Sequence, residues 1–137
     1  MACALMRLVY TSTHGGINER ELANLSKEAK KLHADHGISG VIVVGDEDFL
    51  VVIESEPLIV TRALTHIVKD DRHDNLTVLL ANFASDRLYL DWKAIKIARV
   101  MSLEIRRPEF LSTADFNPRG MTLDQIENMV HDLSKVA

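Results

Sequence analysis

The chain has 137 residues, 47% hydrophobic and 26% charged, which suits one hydrophobic core and is too short for two ordinary domains. Lysine and arginine total 16 against 20 aspartate and glutamate residues, a net charge of −4 with no basic stretch. Double-stranded nucleic acid and anionic membranes are held through clustered cations, so neither is expected as a main partner. The longest uncharged apolar runs, 38–44 and 49–53, fall far below the roughly 20 residues that cross a bilayer.

Met1 to Tyr10 carries Arg7 inside its short apolar run and leads into a strand pattern rather than a cleaved secretory signal, so the expected location is the cytoplasm. Cys3 is the single cysteine, which leaves no internal disulfide and no thiolate metal site. Residues 5–12 are apolar, β-branched or aromatic and end at Gly15-Gly16, the signature of a first strand. Asn18 with Glu21 three positions on is a capping pair. It opens a helix over Glu19 to His36, in which Leu22, Leu25, Ala29, Leu32 and His36 share one face. Gly37 is its left-handed stop. Ser39 to Val44 and Phe49 to Glu54 flank the polar turn 45–48 and read as a hairpin.

In the second arm of that hairpin Phe49, Val51 and Ile53 lie on one side and Leu50 and Val52 on the other, so the sheet needs cover on both faces. Pro57 opens a second helix, carried by Val60, Leu64, Ile67 and Val68 to about Asp71. Leu76 to Phe83 and Asp91 to Val100 are further strands, the latter alternating Trp92, Ala94, Ile97 and Val100. After Pro108, Phe110, Phe116 and Asn117-Pro118, a second capping pair, Thr122 with Gln125, starts a last helix from Leu123 to Val136. Its stripe is Leu123, Ile126, Val130 and Leu133, with Met129 beside it and, like Val136, on either the core or a partner-facing side. The predicted fold is α+β: a ferredoxin-like βαββαββ sheet, two helices on one face and the C-terminal helical segment on the other. Residues 1–100 form the core and 101–137 the extension of one domain.

Five segments, Arg7-Leu-Val-Tyr10-Thr-Ser12, Gly37-Ile-Ser-Gly40, Phe49-Leu-Val-Val-Ile-Glu54, Asp71-Arg72-His73 and Asp91-Trp92, stand in an order and spacing that resemble the BLUF family of flavin-dependent blue-light sensors, over roughly residues 5–98. The resemblance implies FAD held between the two helices over the sheet. It also implies light sensing by a tyrosine and a glutamine hydrogen-bonded to each other and to the flavin. Tyr10 matches the tyrosine, and Ser12, Arg72, His73 and Trp92 also match. Val51 stands where the family's glutamine is expected, Leu32 and His33 where two flavin-binding asparagines are, and Ala94 where a methionine is. Glu54-Ser55 replaces an acidic-glycine pair. The candidate cofactor site implied by the resemblance is therefore Tyr10, Ser12, Leu32, His33, Val51, Arg72, His73, Trp92 and Ala94.

Valine offers no donor or acceptor, so the hydrogen-bond rearrangement has no amide to act through. Each lost amide contact is worth about 1–3 kcal/mol, so flavin binding is expected to be weakened. Beside these readings stand plainer ones: Tyr10 as an interface aromatic with its hydroxyl tied to the backbone, Arg72 and His73 as cations at a helix C-terminus, and Val51 as core filling the flavin's space. His33 and His36 give at most two metal ligands and predict no metal site. No Gly-rich phosphate loop, nucleophile elbow or catalytic pair is present, so no enzyme is expected. Thr13-His14-Gly15-Gly16 reads as a polar turn. RNA-binding domains of related fold use a basic-aromatic run that is missing among the seven aromatics. Two functions follow: a regulatory module without a photocycle that binds a partner protein or a second copy of itself, or a sensor that retains FAD and signals through redox state or occupancy.

Overall fold

In the computed structural model of the protein, residues 4–96 and 118–135 are described, 94–96 by their backbone alone. Strands β1 (Leu5–Thr13), β2 (Ser39–Val44), β3 (Asp48–Ser55), β4 (Asp74–Ala84) and β5 (Trp92–Lys96) form one sheet in the order β4-β1-β3-β2-β5. Neighbours are antiparallel except β2 and β5, which run parallel. The helices described are α1 (Glu19–His36), α2 (Pro57–Lys69) and α3 (Leu123–Ser134), the last preceded by a 3-10 turn at Pro118–Gly120. This is the expected α+β arrangement. Cys3, Ile97, Val100, Phe110, Phe116 and Val136 lie outside the described residues.

Local chemistry sets the helix ends. Asn18 and Glu21 form the full capping box, and Gly37, at φ 67, donates its backbone N–H to the His33 carbonyl at 3.0 Å. Thr122 and Gln125 cap α3 in the same reciprocal way. Helix α2 stops at Lys69, short of the expected Asp71, because Asp70 is already extended. Val68, expected on its apolar face, is exposed, whereas Val60 is buried.

Alternation along the strands sends Leu8, Tyr10, Ile42, Phe49, Val51 and Ile53 toward α1 and α2. Val9, Val41, Val43, Leu50 and Val52 pack instead against Ile126, Met129, Val130 and Leu133 of α3. Each fully buried aliphatic side chain contributes about 1.5–3 kcal/mol, so β3 is stabilised from both sides. Leu123 departs from expectation: as the first residue of α3 it lies ahead of the contact and is 55% exposed, while Met129 is fully buried. At Gly40 a Cβ would fall 1.9 Å from the Val52 carbonyl oxygen, so β2 and β3 approach too closely there for any side chain.

A buried charge closes the far end of β3. Glu54, wholly buried, accepts from Arg7 at 2.7 Å and from the backbone N–H groups of Leu88 and Tyr89 at 3.0 and 2.9 Å. Arg87 reaches Ser39 Oγ and the Glu54 carbonyl at 2.6 and 3.1 Å, and the Tyr89 hydroxyl donates to the Val130 carbonyl at 2.7 Å. These bonds satisfy the carboxylate and tie the segment before β5 to the sheet and to α3. Among the described residues no helix is long and apolar enough to cross a membrane.

Candidate functional site

Tyr10 of β1 pairs directly with Val51 of β3, and Val51 in turn with Ile42 of β2. Opposed residues of a ladder carry their side chains to the same face, so this row is a floor beneath α1 and α2. Above it lies a cavity of about 420 Å³, within the range of small-molecule sites. Phe49 and Ile53 complete the floor, Leu25, Ala29 and Leu32 of α1 form one wall, and Ala63 and Ile67 of α2 the other. The α1 face is only half covered, with Ala29 buried and Leu32 39% exposed, because it borders this space rather than packed side chains. Val51 therefore does not fill the volume between the helices, contrary to the core-filling expectation: it is buried, and the room remains in front of it.

Of the nine residues singled out from the sequence, Tyr10, Leu32, Val51, Arg72, His73 and Trp92 line the cavity. Ser12 and His33 do not: Ser12 stands behind His73, and His33 turns its Nδ1 to the Ile38 carbonyl at 3.0 Å, while Ala94 is placed by backbone register alone, opposite Ile42. The Tyr10 hydroxyl makes no hydrogen bond to any described residue, so it is not tied to the backbone. Burial, and after it the negative charge of Asp70, holds its pKa well above the ordinary phenol value. Trp92 Nε1 is buried without an acceptor.

Arg72 is fully engaged. Its guanidinium binds Asp70 at 2.5–3.0 Å and Glu28 at 2.8 and 3.2 Å, bridging the C-terminal end of α2 to the middle of α1 at the cavity mouth. The Arg72 hydrogen bond is the main reason that the Asp70 carboxyl titrates below its usual range, and the same contacts hold Arg72 firmly charged. His73 joins β1 to α2. Nε2 donates to the Ile67 carbonyl at 2.8 Å, since a carbonyl can only accept, which leaves Nδ1 to accept from Ser12 Oγ at 2.6 Å. Its ring meets Phe49 edge-on at 6.3 Å.

Sequence reasoning missed His14, Glu28 and Asp70. His14 belongs to a polar turn, yet its ring packs on Phe49 at 4.6 Å and lines the cavity, fixed by Gly45 O and Gly16 N at 3.0 and 2.9 Å. The alternation that places Phe49 on the helix side is the one sequence signal that points there. Among the described residues no group of three His, Cys, Asp or Glu side chains is placed to hold a metal ion.

The family described as "BLUF: Sensors of blue-light using FAD" matches residues 5–94. Among solved structures, the photo-activated state of BlsA aligns with a TM-score of 0.83 at 22% identity, covering 97% of this chain and 96% of that one. The dark state of BlrB aligns at 0.79 with 14% identity over 98% of both chains. A bacterial light-regulated adenylyl cyclase aligns at 0.65 with 28% identity over 68% of this chain, which corresponds to 28% of the cyclase. No curated protein matches.

Against FAD the cavity offers room without the polar complement. An isoalloxazine ring presents carbonyls and nitrogens along one edge, where the floor and wall present Val51 and Leu32. The Arg72 guanidinium is already occupied. Asn24, the one carboxamide among the lining residues, is exposed and not bonded to Tyr10. At the mouth, Glu21, Glu28 and Asp70 outnumber Arg72, the wrong sign for a dinucleotide's phosphates. The residues present do not fit this cofactor.

Proposed function

Because the chain belongs to the BLUF family, sensors of blue light using FAD, we propose that it is a sensory and regulatory module of this fold that has no blue-light photocycle and passes its signal to a partner protein. One observation carries the reading: the cross-strand partner of Tyr10 is Val51, and the phenol hydroxyl meets no amide. The family's light response, as the resemblance implies, is a rearrangement of hydrogen bonds among tyrosine, glutamine and flavin. An isopropyl group can take no part in it. A partner-directed output is supported by the light-regulated adenylyl cyclase, in which a segment of this fold is about a quarter of a longer chain. The volume of the cavity alone supports a second reading, retention of FAD with signalling by redox state or occupancy.

The absorption spectrum separates the two. Protein purified in the dark, incubated with FAD and desalted is expected to be colourless. A stable flavin band supports the second reading, and a reversible red shift of that band under blue light overturns the first.

A further inference from the structure

We propose that the outer edge of β4 pairs with the same edge of a second copy of this chain, antiparallel about a two-fold axis, so that the two sheets become one. The inference concerns a surface remote from the cavity and does not depend on the sensory reading.

The backbone supplies the first observation. β4 ends the sheet, with β1 on one side and no strand among the described residues on the other. About half of the N–H and C=O groups of this eleven-residue strand therefore face outward, as a template for a further strand. The opposite edge, β5, is five residues long and holds Lys93 and Lys96. Lysine on an edge opposes pairing, because its charge loses water beside an incoming strand. β4 has no such guard: Asp74 is its one charged residue, and positions 75–85 carry none. Its start is covered by the Arg119 guanidinium, which binds the Asn75 carbonyl and the Thr77 hydroxyl. Leu79 is an extra residue in the register with β1, a bulge that bends the strand there. The regular run open to pairing is thus Leu80–Ala84, close to the usual length of a strand.

Side chains supply the second. Met6, Leu8 and Tyr10 of β1 point to the helix side, and their partners on β4, Phe83, Ala81 and Val78, share that face. Helix α2 lies over β1 and β3 rather than β4, which leaves Phe83 68% and Val78 45% exposed and Ala81 exposed between them. Val68, 61% exposed, extends this apolar strip along the flank of α2 that lies opposite Ala63, His66 and Asp70 on the cavity side. A contiguous apolar strip of this kind marks an interaction surface.

Sign and symmetry choose the occupant. The chain carries a net charge of −4, so two copies repel where acidic side chains approach, whereas an uncharged strip meets itself without that cost. A charged peptide finds no counter-charge along positions 75–85. A two-fold axis perpendicular to the sheet sets β4 against β4, keeps both α2 helices on one side and brings the two apolar strips together. It also closes the assembly at two copies, since each outer β4 edge is then used. Five residues of strand and one helix flank fall short of the roughly 20–30 residues a side of a standard interface, so the expected dissociation constant is on the order of 10–100 µM.

The experiment is sedimentation of the full chain from about 5 to 500 µM, a range that brackets this constant. The mass is expected to rise from one copy to two and no further. Ala81→Lys with Phe83→Lys, both at exposed positions, is expected to weaken the dimer at least about tenfold while the thermal melt followed by circular dichroism stays in place, and Ala81→Glu with Phe83→Glu to do the same. An equimolar mixture of the two doubles is expected to associate at least about tenfold more tightly than either alone, because opposite charges then face each other across the axis. In the parent chain, which needs no substitution, amide exchange over residues 80–84 is expected to slow as concentration rises. A parent chain that stays single throughout the range, a mass that grows past two copies, a dimer that neither double weakens, or a mixture no tighter than its components overturns the proposal.

Discussion

The phenol of Tyr10 and the isopropyl group of Val51 stand directly opposite each other on β1 and β3, both buried, and nothing in the described residues accepts or donates to the phenol. A carboxamide at position 51 is next to that hydroxyl by register alone. Val51→Gln combined with Leu32→Asn and His33→Asn is therefore expected to bind FAD about a hundredfold more tightly than the parent chain, and Val51→Gln alone by a smaller step, from restored contacts worth about 1–3 kcal/mol each. Titration of flavin fluorescence measures this. Unchanged affinity of the triple variant would show that the missing amides are not what excludes the cofactor.

Glu54 is a buried carboxylate held by Arg7, Leu88 N and Tyr89 N. Glu54→Ala removes the counter-charge of Arg7, whose guanidinium keeps only the Asp86 carbonyl at 3.0 Å, and leaves two backbone donors unpaired; removing one partner of a buried pair costs about 3–5 kcal/mol. Urea unfolding should show that loss. Replacing Arg7 and Glu54 together with methionine should cost less than Glu54→Ala, because the uncompensated charge is gone.

Alkali should unfold the protein in step with phenol ionisation. Tyr10 and Tyr89 are held protonated, chiefly by burial, so their folded pKa values lie above the unfolded value of about 10. Such groups contribute stability that is complete below pH 10 and is lost as the pH rises beyond it, because the unfolded chain then releases protons that the folded chain keeps. Circular dichroism and phenolate absorbance should change together. Ionisation of both phenols well before unfolding would contradict their burial.

On the α3 side, Met129→Ala should cost about 2–5 kcal/mol through the cavity it leaves, since Met129 is fully buried against the sheet. Leu123→Ala, at an exposed helix start, should change stability by less than about 0.5 kcal/mol. The two melting curves decide which side of the helix faces the sheet.

What could be read from the sequence was local or periodic. The capping pair at Asn18 and Glu21 and the glycine at 37 gave both ends of α1, and the two apolar sides of 49–53 gave the three-layer order. A helical stripe does not state which of its borders meets the sheet, so Leu123, expected in the stripe, is exposed, Met129, which the pattern left open, is buried, and Val68 was assigned to a face it does not occupy. Contacts between distant segments left no trace in spacing. Arg72 lies 44 positions from Glu28, and Arg7 lies 47 from Glu54. The volume above Val51 depends on where α1 and α2 rest over the floor, which no single residue encodes.

The central claim is tested most directly by the light-minus-dark absorption difference of the protein mixed with excess FAD. A featureless difference under blue light is the predicted result, because Val51 gives Tyr10 no amide with which to rearrange. A shift of the flavin band to longer wavelength that forms in light and decays in darkness would contradict it.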